Sequence, residues 1–159
     1  MYFKIISVFL VLLIVLSVCS GSGEDNKSSL DDVIQSMENQ GLKILKFNPE
    51  RGRTTFNKLN DIEAETYAID TYGMGDVTDE ADNKVNIDIM LLANVYIYVF
   101  NTEKERIEGF KDFHKISDQA DFVFHPIVYE SNNILVIHFQ YPEEKSEYDN
   151  TIKQAIEEL

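Results

Sequence analysis

The sequence predicts one α+β domain, in which a mixed but mainly antiparallel sheet packs against two to four helices, behind an N-terminal segment outside the fold. Apolar residues recur at helical spacing in three separate segments. Other segments are rich in β-branched and aromatic residues and are bounded by turn residues. A length of 159 residues suits a single domain. Long strands with few helices favour an arrangement with the helices on one face of the sheet.

The first predicted helix follows Ser29, which is a good N-cap, and two aspartates in its first turn favour the positive end of the helix dipole. Gly41 is expected to end this helix, and residues 42–47 then form a strand that stops at Pro49. The apolar stripe of the helix consists of Leu30, Val33, Ile34 and Met37.

The middle of the chain contains the predicted central strand. Residues 51–61 are expected to form a short helix or a loop, residues 66–72 a strand and residues 76–84 an acidic loop. Alternation of apolar and polar residues over 85–89 is typical of a half-buried strand. Residues 95–100 are apolar at every position, which suits a strand covered on both faces. We expect Ile97 and Val99 on one face, and Tyr96, Tyr98 and Phe100 on the other.

A second clear helix begins with a capping box formed by Thr102 and Glu105. Its buried stripe is predicted to contain Ile107, Phe110 and Phe113, and its solvent-facing residues are predicted to be Lys104, Arg106, Glu108 and Lys111.

The last part of the chain predicts a β-hairpin and a final helix. Two apolar strands, over 122–129 and 134–139, flank the turn residues Ser131-Asn132-Asn133. The path from residues 95–100 through the second helix to residues 122–129 fits a right-handed βαβ crossover. Residues 143–159 are predicted to form the final helix, with its start favoured by Pro142 and the two glutamates that follow.

The charge balance limits the partners. The chain has 28 acidic and 14 basic residues and a formal net charge of −14. Nucleic acids and acidic phospholipids require basic side chains to neutralise their phosphates, so neither is an expected partner. Cationic partners are favoured instead, which include divalent ions, basic peptides and basic patches of proteins.

The N-terminal segment has the pattern of a signal peptide. One lysine precedes residues 5–18, which carry no charge, glycine or proline. A helix of this length is about 21 Å long, shorter than the ~30 Å hydrocarbon core of a bilayer. The only cysteine, Cys19, follows this apolar run directly and precedes a linker rich in glycine and serine.

The segment Leu16-Ser17-Val18-Cys19 resembles the lipobox of bacterial lipoproteins of the Gram-positive type, in which a leucine stands three residues before the cysteine. Val18, directly before the cysteine, differs from the glycine, alanine or serine that is usual there. The resemblance implies that Cys19 becomes the lipidated, palmitate-bearing first residue of the mature protein. It also implies a lipid anchor on the extracytoplasmic face of the cell membrane.

The predicted division is therefore a signal peptide over 1–18, a lipidation site and flexible linker over 19–28, and an extracytoplasmic domain over 29–159. Secretion after cleavage near Ser20 or Ser22 is an alternative, and so is an uncleaved membrane helix over 2–20. All three interpretations place the domain outside the cytoplasm.

Two groups of side chains are candidates for metal binding, although we expect no metal site and no cofactor. The acidic residues Asp76, Asp79, Glu80 and Asp82 offer oxygen ligands to Ca²⁺, but they lack EF-hand spacing and are also typical of a solvated loop. A hairpin turn centred on residues 131–132 would place His125 opposite His138, where two imidazoles can share a metal or respond to pH. Ordinary sheet histidines are the alternative.

The sequence contains no motif for nucleophilic catalysis, phosphate binding or zinc ligation, so we expect a protein that is not an enzyme. Tyrosines on one uncovered face of the sheet would form an aromatic cleft for a peptide or glycan, whereas packing in the core is the alternative. The tyrosines concerned are Tyr67, Tyr72, Tyr96, Tyr98, Tyr129 and Tyr141.

The predicted function is that of a membrane-anchored lipoprotein with a non-enzymatic domain that binds a protein or peptide. The alternative is a lipoprotein that binds a metal or another small ligand and works with a transporter.

Overall fold

The computed structural model describes residues 27–46, 56–70, 94–120, 124–140 and 148–159. These residues form the α+β fold that the sequence predicts. The helices are α1 (Leu30–Asn39), α2 (Glu103–Ser117) and α3 (Asp149–Glu157). The strands are β1 (Ile44–Lys46), β2 (Lys58–Leu59), β3 (Ile62–Glu63), β4 (Glu65–Ile69), β5 (Asn94–Val99), β6 (His125–Ser131) and β7 (Ile134–Gln140).

Five of the strands form one sheet in the order β1-β4-β5-β7-β6, and every pair of neighbours in it is antiparallel. β5 is the middle strand, as predicted. β2 and β3 form a separate two-stranded sheet. β5 and β6 run in the same direction because both pair antiparallel with β7, which lies between them. The predicted βαβ unit therefore joins parallel strands that are not neighbours.

Helices cover both faces of the sheet, so the prediction that they lie on one face was wrong. On one face of β5, Val95 and Ile97 pack with buried residues of α1 and α3. On the other face, Tyr96 and Tyr98 pack with Phe113 of α2. The predicted alternation of side chains along β5 is confirmed. It also explains why helices are needed on both faces of the sheet. A strand that is apolar on both faces is stable only when both faces are removed from water.

The boundaries of α1 are those that the sequence predicts. The Ser29 hydroxyl accepts a hydrogen bond from the Asp32 N–H, and the Asp32 carboxylate accepts one from the Ser29 N–H at 2.7 Å. The Ser29 hydroxyl also donates to the Asp32 carboxylate at 2.7 Å, and this bond together with the one from the Ser29 N–H lowers the pKa of Asp32. Gly41 has a φ of +89°, a left-handed conformation that ends the helix with little strain.

α2 contacts the sheet at Gly109, and this contact determines which face of the helix is buried. A Cβ at Gly109 would lie 2.4 Å from the Phe100 ring, so only glycine permits this contact. Phe113 is four residues later on the same side of the helix and is buried, as predicted. Ile107 was predicted to be buried but is 39% exposed. It lies two residues before Gly109, which is about 200° around the helix.

Three further predictions need correction or fall outside the described residues. In place of a helix or loop, residues 56–61 contain β2 and a turn in which Asn60 and Asp61 have positive φ. α3 begins at Asp149, not at residue 143. The predicted acidic loop and strand over 76–89 lie outside the described residues, as do residues 51–55 and the whole segment up to residue 26.

The central position of β5 predicts that truncation of Ile97 to alanine destabilises the domain. The Ile97 side chain is completely buried between the sheet and the two helices on that face. Its truncation leaves a cavity and should lower the free energy of unfolding by about 2–5 kcal/mol. Urea denaturation of the full chain measures this. Ile107→Ala is the matched control and should change the free energy by no more than about 0.5 kcal/mol. Equal effects of the two substitutions would contradict the central position of β5.

Candidate functional site

A two-residue turn, Asn132-Asn133, connects β6 to β7 and sets the pairing between them. Ser131 pairs with Ile134 on either side of this turn. The left-handed conformation of Asn132, with a φ of +45°, suits such a tight turn. The predicted hairpin is therefore confirmed. Its turn, however, lies later in the chain than the one assumed in pairing the two histidines.

The two candidate histidines do not face each other, so that prediction was wrong. His125 pairs with Gln140, and His138 pairs with Ile127. The partner of each residue is shifted by two positions from the expected one because the turn is centred later in the chain. The residues that the structure describes contain no group of three or more histidine, cysteine, aspartate or glutamate side chains placed to hold a metal ion.

His138 is a buried histidine of the core. Its side chain is fully buried, and its Nδ1 lies 3.2 Å from the Asn94 carbonyl oxygen. Burial lowers the pKa of His138, while this hydrogen bond and the charge of Asp149 partly oppose the change. Because the partner of Nδ1 is a carbonyl, Nδ1 is the nitrogen that carries the proton in the neutral ring. His125, by contrast, is exposed.

The tyrosines in the described residues belong to the core. Tyr96 and Tyr98 are completely buried in the core on one face of the sheet. Tyr129 is almost completely buried in the core on the other face, and Tyr67 packs half-buried against that second core. The Tyr98 hydroxyl donates to the Phe56 carbonyl, and the Tyr129 hydroxyl donates to the Asp149 carboxylate. Burial raises the pKa of Tyr98 and of Tyr129.

The prediction that these tyrosines pack in the core is thus confirmed. The alternative prediction, an aromatic cleft formed by them, is wrong because helices cover both faces of the sheet. Tyr72 and Tyr141 lie outside the described residues, as do Cys19 and the four acidic candidates between residues 76 and 82.

The side chain of Asn133 holds the residue at which the chain enters the domain. Its Oδ1 accepts a hydrogen bond from the Ser28 N–H at 2.8 Å, and its Nδ2 donates to the Ser28 carbonyl at 3.0 Å. Nδ2 also donates to the Phe100 carbonyl at 2.8 Å. A primary amide places an N–H donor and a carbonyl acceptor side by side, so it binds the backbone of Ser28 as a neighbouring strand would, and its second N–H bonds to Phe100. Both Asn133 and Ser28 are buried.

Asn132 connects the same turn to the C-terminus and to α2. Its Nδ2 donates to the Leu159 carbonyl at 3.1 Å, and its own carbonyl accepts from Arg106 Nε at 3.0 Å. Arg106 also forms an ion pair with Glu130. The prediction that Arg106 lies in solvent was wrong, since its side chain is only 11% exposed. Its bond to Asn132 draws it onto the hairpin.

An open polar cleft of about 540 Å³ lies beside this entry point. The charged residues that line it are Lys27, Asp32 and Glu158, of which Asp32 already caps α1. The Ser36 hydroxyl within the cleft donates to the Ala155 carbonyl at 2.7 Å and so joins α1 to α3. The cleft therefore lies between α1 and α3, which are joined by this hydrogen bond. The residues that line it do not indicate a particular ligand.

The outer edge of β6 is the other notable feature, and the pairing of β7 determines which backbone groups it presents. The Phe100 N–H donates to the Asn133 carbonyl at 2.9 Å, so Asn133 faces β5. Hydrogen bonding alternates along an antiparallel strand, so Leu135 and Ile137 also bond to β5, through Tyr98 and Tyr96. The other residues of β7 bond to β6.

Alternate residues of β6 therefore bond to β7, and the remaining ones, Pro126, Val128 and Glu130, direct their backbone groups away from the sheet. The N–H groups of Val128 and Glu130 have no hydrogen-bond partner within the described residues. Proline has no N–H. This edge consequently presents two donors and three carbonyl acceptors along one seven-residue strand.

Sequence reasoning recognised Asn132 and Asn133 as turn residues but not as the residues that join the two ends of the domain. The sequence indicated only that these two residues form a turn. Their hydrogen-bond partners Ser28 and Leu159 are far away in the sequence, so no local pattern points to them. The open edge of β6 depends on strand order, for which local sequence contains no signal.

No protein-family model matches the chain, and neither a curated protein nor a solved structure is significantly similar to it. None of the helices within the described residues is both long enough and apolar enough to span a membrane.

Replacement of Asn133 by alanine should loosen the N-terminal end of the domain. It leaves the buried Ser28 N–H without its partner, and we expect the free energy of unfolding to fall by about 1–3 kcal/mol. Chemical denaturation and the amide exchange rate of Ser28 measure the two effects. Asn39→Ala, at an exposed position of α1, is the control. Unchanged exchange at Ser28 in Asn133→Ala would show that the side chain does not hold the entering chain.

Proposed function

We propose that this protein is a lipoprotein anchored to the cell membrane through Cys19, with a non-enzymatic extracytoplasmic domain that binds a cationic protein or peptide. The observation that carries the proposal is the attachment of Ser28 to Asn133. The fold is secured at the residue where the predicted linker ends. This position agrees with the boundary that the sequence predicts between the linker and the domain.

The short distance in sequence between Cys19 and Ser28 keeps the domain close to the membrane. Nine residues separate the two positions, and a fully extended chain of that length spans about 30 Å. The hairpin turn Asn132-Asn133 is then the end of the domain nearest the bilayer, because it binds Ser28. A partner reaches such a domain at the membrane surface.

The charge of the chain supports a cationic partner. Its 28 acidic residues exceed its basic residues twofold. This excess repels acidic phospholipids and attracts basic surfaces of other proteins. Binding of this kind requires an accessible surface with polar or charged groups and does not require catalytic residues.

Substitution of Cys19 by alanine tests the anchor. In a bacterial host, the full chain should incorporate labelled palmitate and sediment with membranes. Cys19→Ala should lose the label, and it should either leave the membrane fraction or accumulate unprocessed. Ser20→Ala is the matched control and should behave like the unaltered chain.

Two results would contradict the anchor. Firm membrane attachment of Cys19→Ala with unchanged electrophoretic mobility would indicate an uncleaved helix. Release of the unaltered chain without label would indicate simple secretion.

A further inference from the structure

The outer edge of β6 has the properties of a strand-addition site. It is seven residues long, and the N–H groups of Val128 and Glu130 point away from the sheet without partners in the described residues. An extended peptide laid along such an edge satisfies these groups with its own backbone. Main-chain hydrogen bonds then supply affinity, and side chains on alternate positions supply specificity.

The charges around β6 identify the kind of peptide. α3 packs beside β6, and Arg106 of α2 bonds to Glu130. Acidic side chains exceed basic ones in this region: Glu130, Asp149, Glu157 and Glu158 against Arg106 and Lys153. Each of these acids has a partner: Arg106 pairs with Glu130, Lys153 pairs with Glu157, Tyr129 donates to Asp149 and Gln40 donates to Glu158. Acidic residues still outnumber basic ones in this region, so its field is moderate and negative. Lysine or arginine side chains on an added strand are attracted to it.

The opposite edge of the sheet provides a contrast. β1 is only three residues long, and Lys43 before it and Lys46 at its end form ion pairs with Asp70 and Glu65. Ile44 directs its backbone away from the sheet, because Lys43 accepts the hydrogen bond from the Asp70 N–H. An added strand is therefore disfavoured at this edge by the short length of β1, and no excess of acidic residues over basic ones attracts a cationic segment there.

We propose that β6 binds an extended, lysine- or arginine-containing segment of a partner protein as a sixth strand of the sheet. This inference rests on the proposed interaction function and specifies its surface. Pro126 sets one limit of the bound strand, since it offers an acceptor but no donor. The central contacts are the N–H and carbonyl groups of Val128, with those of Glu130 beyond them.

The probe for this proposal is a capped peptide of alternating lysine and valine, as long as β6, added to the full chain in detergent micelles. NMR should show slower amide exchange at Val128 and Glu130 by at least about tenfold, while Ile44 and Lys46 remain unchanged. A matched peptide of alternating glutamate and valine should have no such effect. These measurements need no substitution and do not depend on whether Cys19 carries lipid.

Two proline variants provide the second arm of the experiment. Val128→Pro removes the central outward donor without removing a hydrogen bond to β7, and it should weaken peptide binding by at least about tenfold. Ile44→Pro makes the equivalent change at β1 and should leave binding unaffected. Circular dichroism confirms that each variant is folded.

Three results would overturn the proposal. The first is protection at Ile44 and Lys46 in place of β6. The second is no protection by the lysine peptide at any concentration, which would mean that the proline and the charges only shield the edge. The third is concentration-dependent protection of Val128 without peptide, which would identify a second copy of this chain as the occupant. Loss of the lipid anchor alone would refute the proposed anchoring and leave the peptide result unaffected.

Discussion

The turn formed by Asn132 and Asn133 is the constraint on which the other features of the structure depend. Because it contains two residues, it pairs Ser131 with Ile134 and thereby fixes every pair along β6 and β7. That pairing buries His138 in the core and leaves Val128 with an outward N–H. A shift of one residue would exchange the two faces of each strand and place polar groups in the core.

The same turn also organises the end of the domain through its side chains. Asn133 binds the backbone of Ser28, and Asn132 binds the carbonyl of Leu159. The hairpin that presents the open edge is therefore attached directly to the residue that continues into the predicted linker. In the proposed lipoprotein, the linker therefore joins the domain at the same end as this hairpin turn.

Sequence patterns predicted the type of most elements but little of the candidate surface. Helix α1 and the central position of β5 follow from local periodicity and caps, which the structure confirms. Arg106 and Ile107 were misplaced because periodicity gives the spacing of a helix face, whereas close packing at Gly109 determines which face is buried. The histidine pairing failed because three consecutive turn residues left the centre of the turn undetermined. The bond from Asn133 to Ser28 joins distant parts of the sequence, which no local pattern reveals.

The most direct test of the hairpin pairing is a nuclear Overhauser experiment on the full chain. Residues that face each other without exchanging hydrogen bonds bring their α-protons closest together in an antiparallel pair. The structure makes Val128 and Ile137 such a pair. We therefore expect a strong signal between the α-protons of Val128 and Ile137. A strong signal between the α-protons of Ile127 and Ile137 instead would mean a pairing shifted by one residue, in which Val128 and Glu130 bond to β7, and it would contradict the outward N–H groups on which the strand-addition site depends.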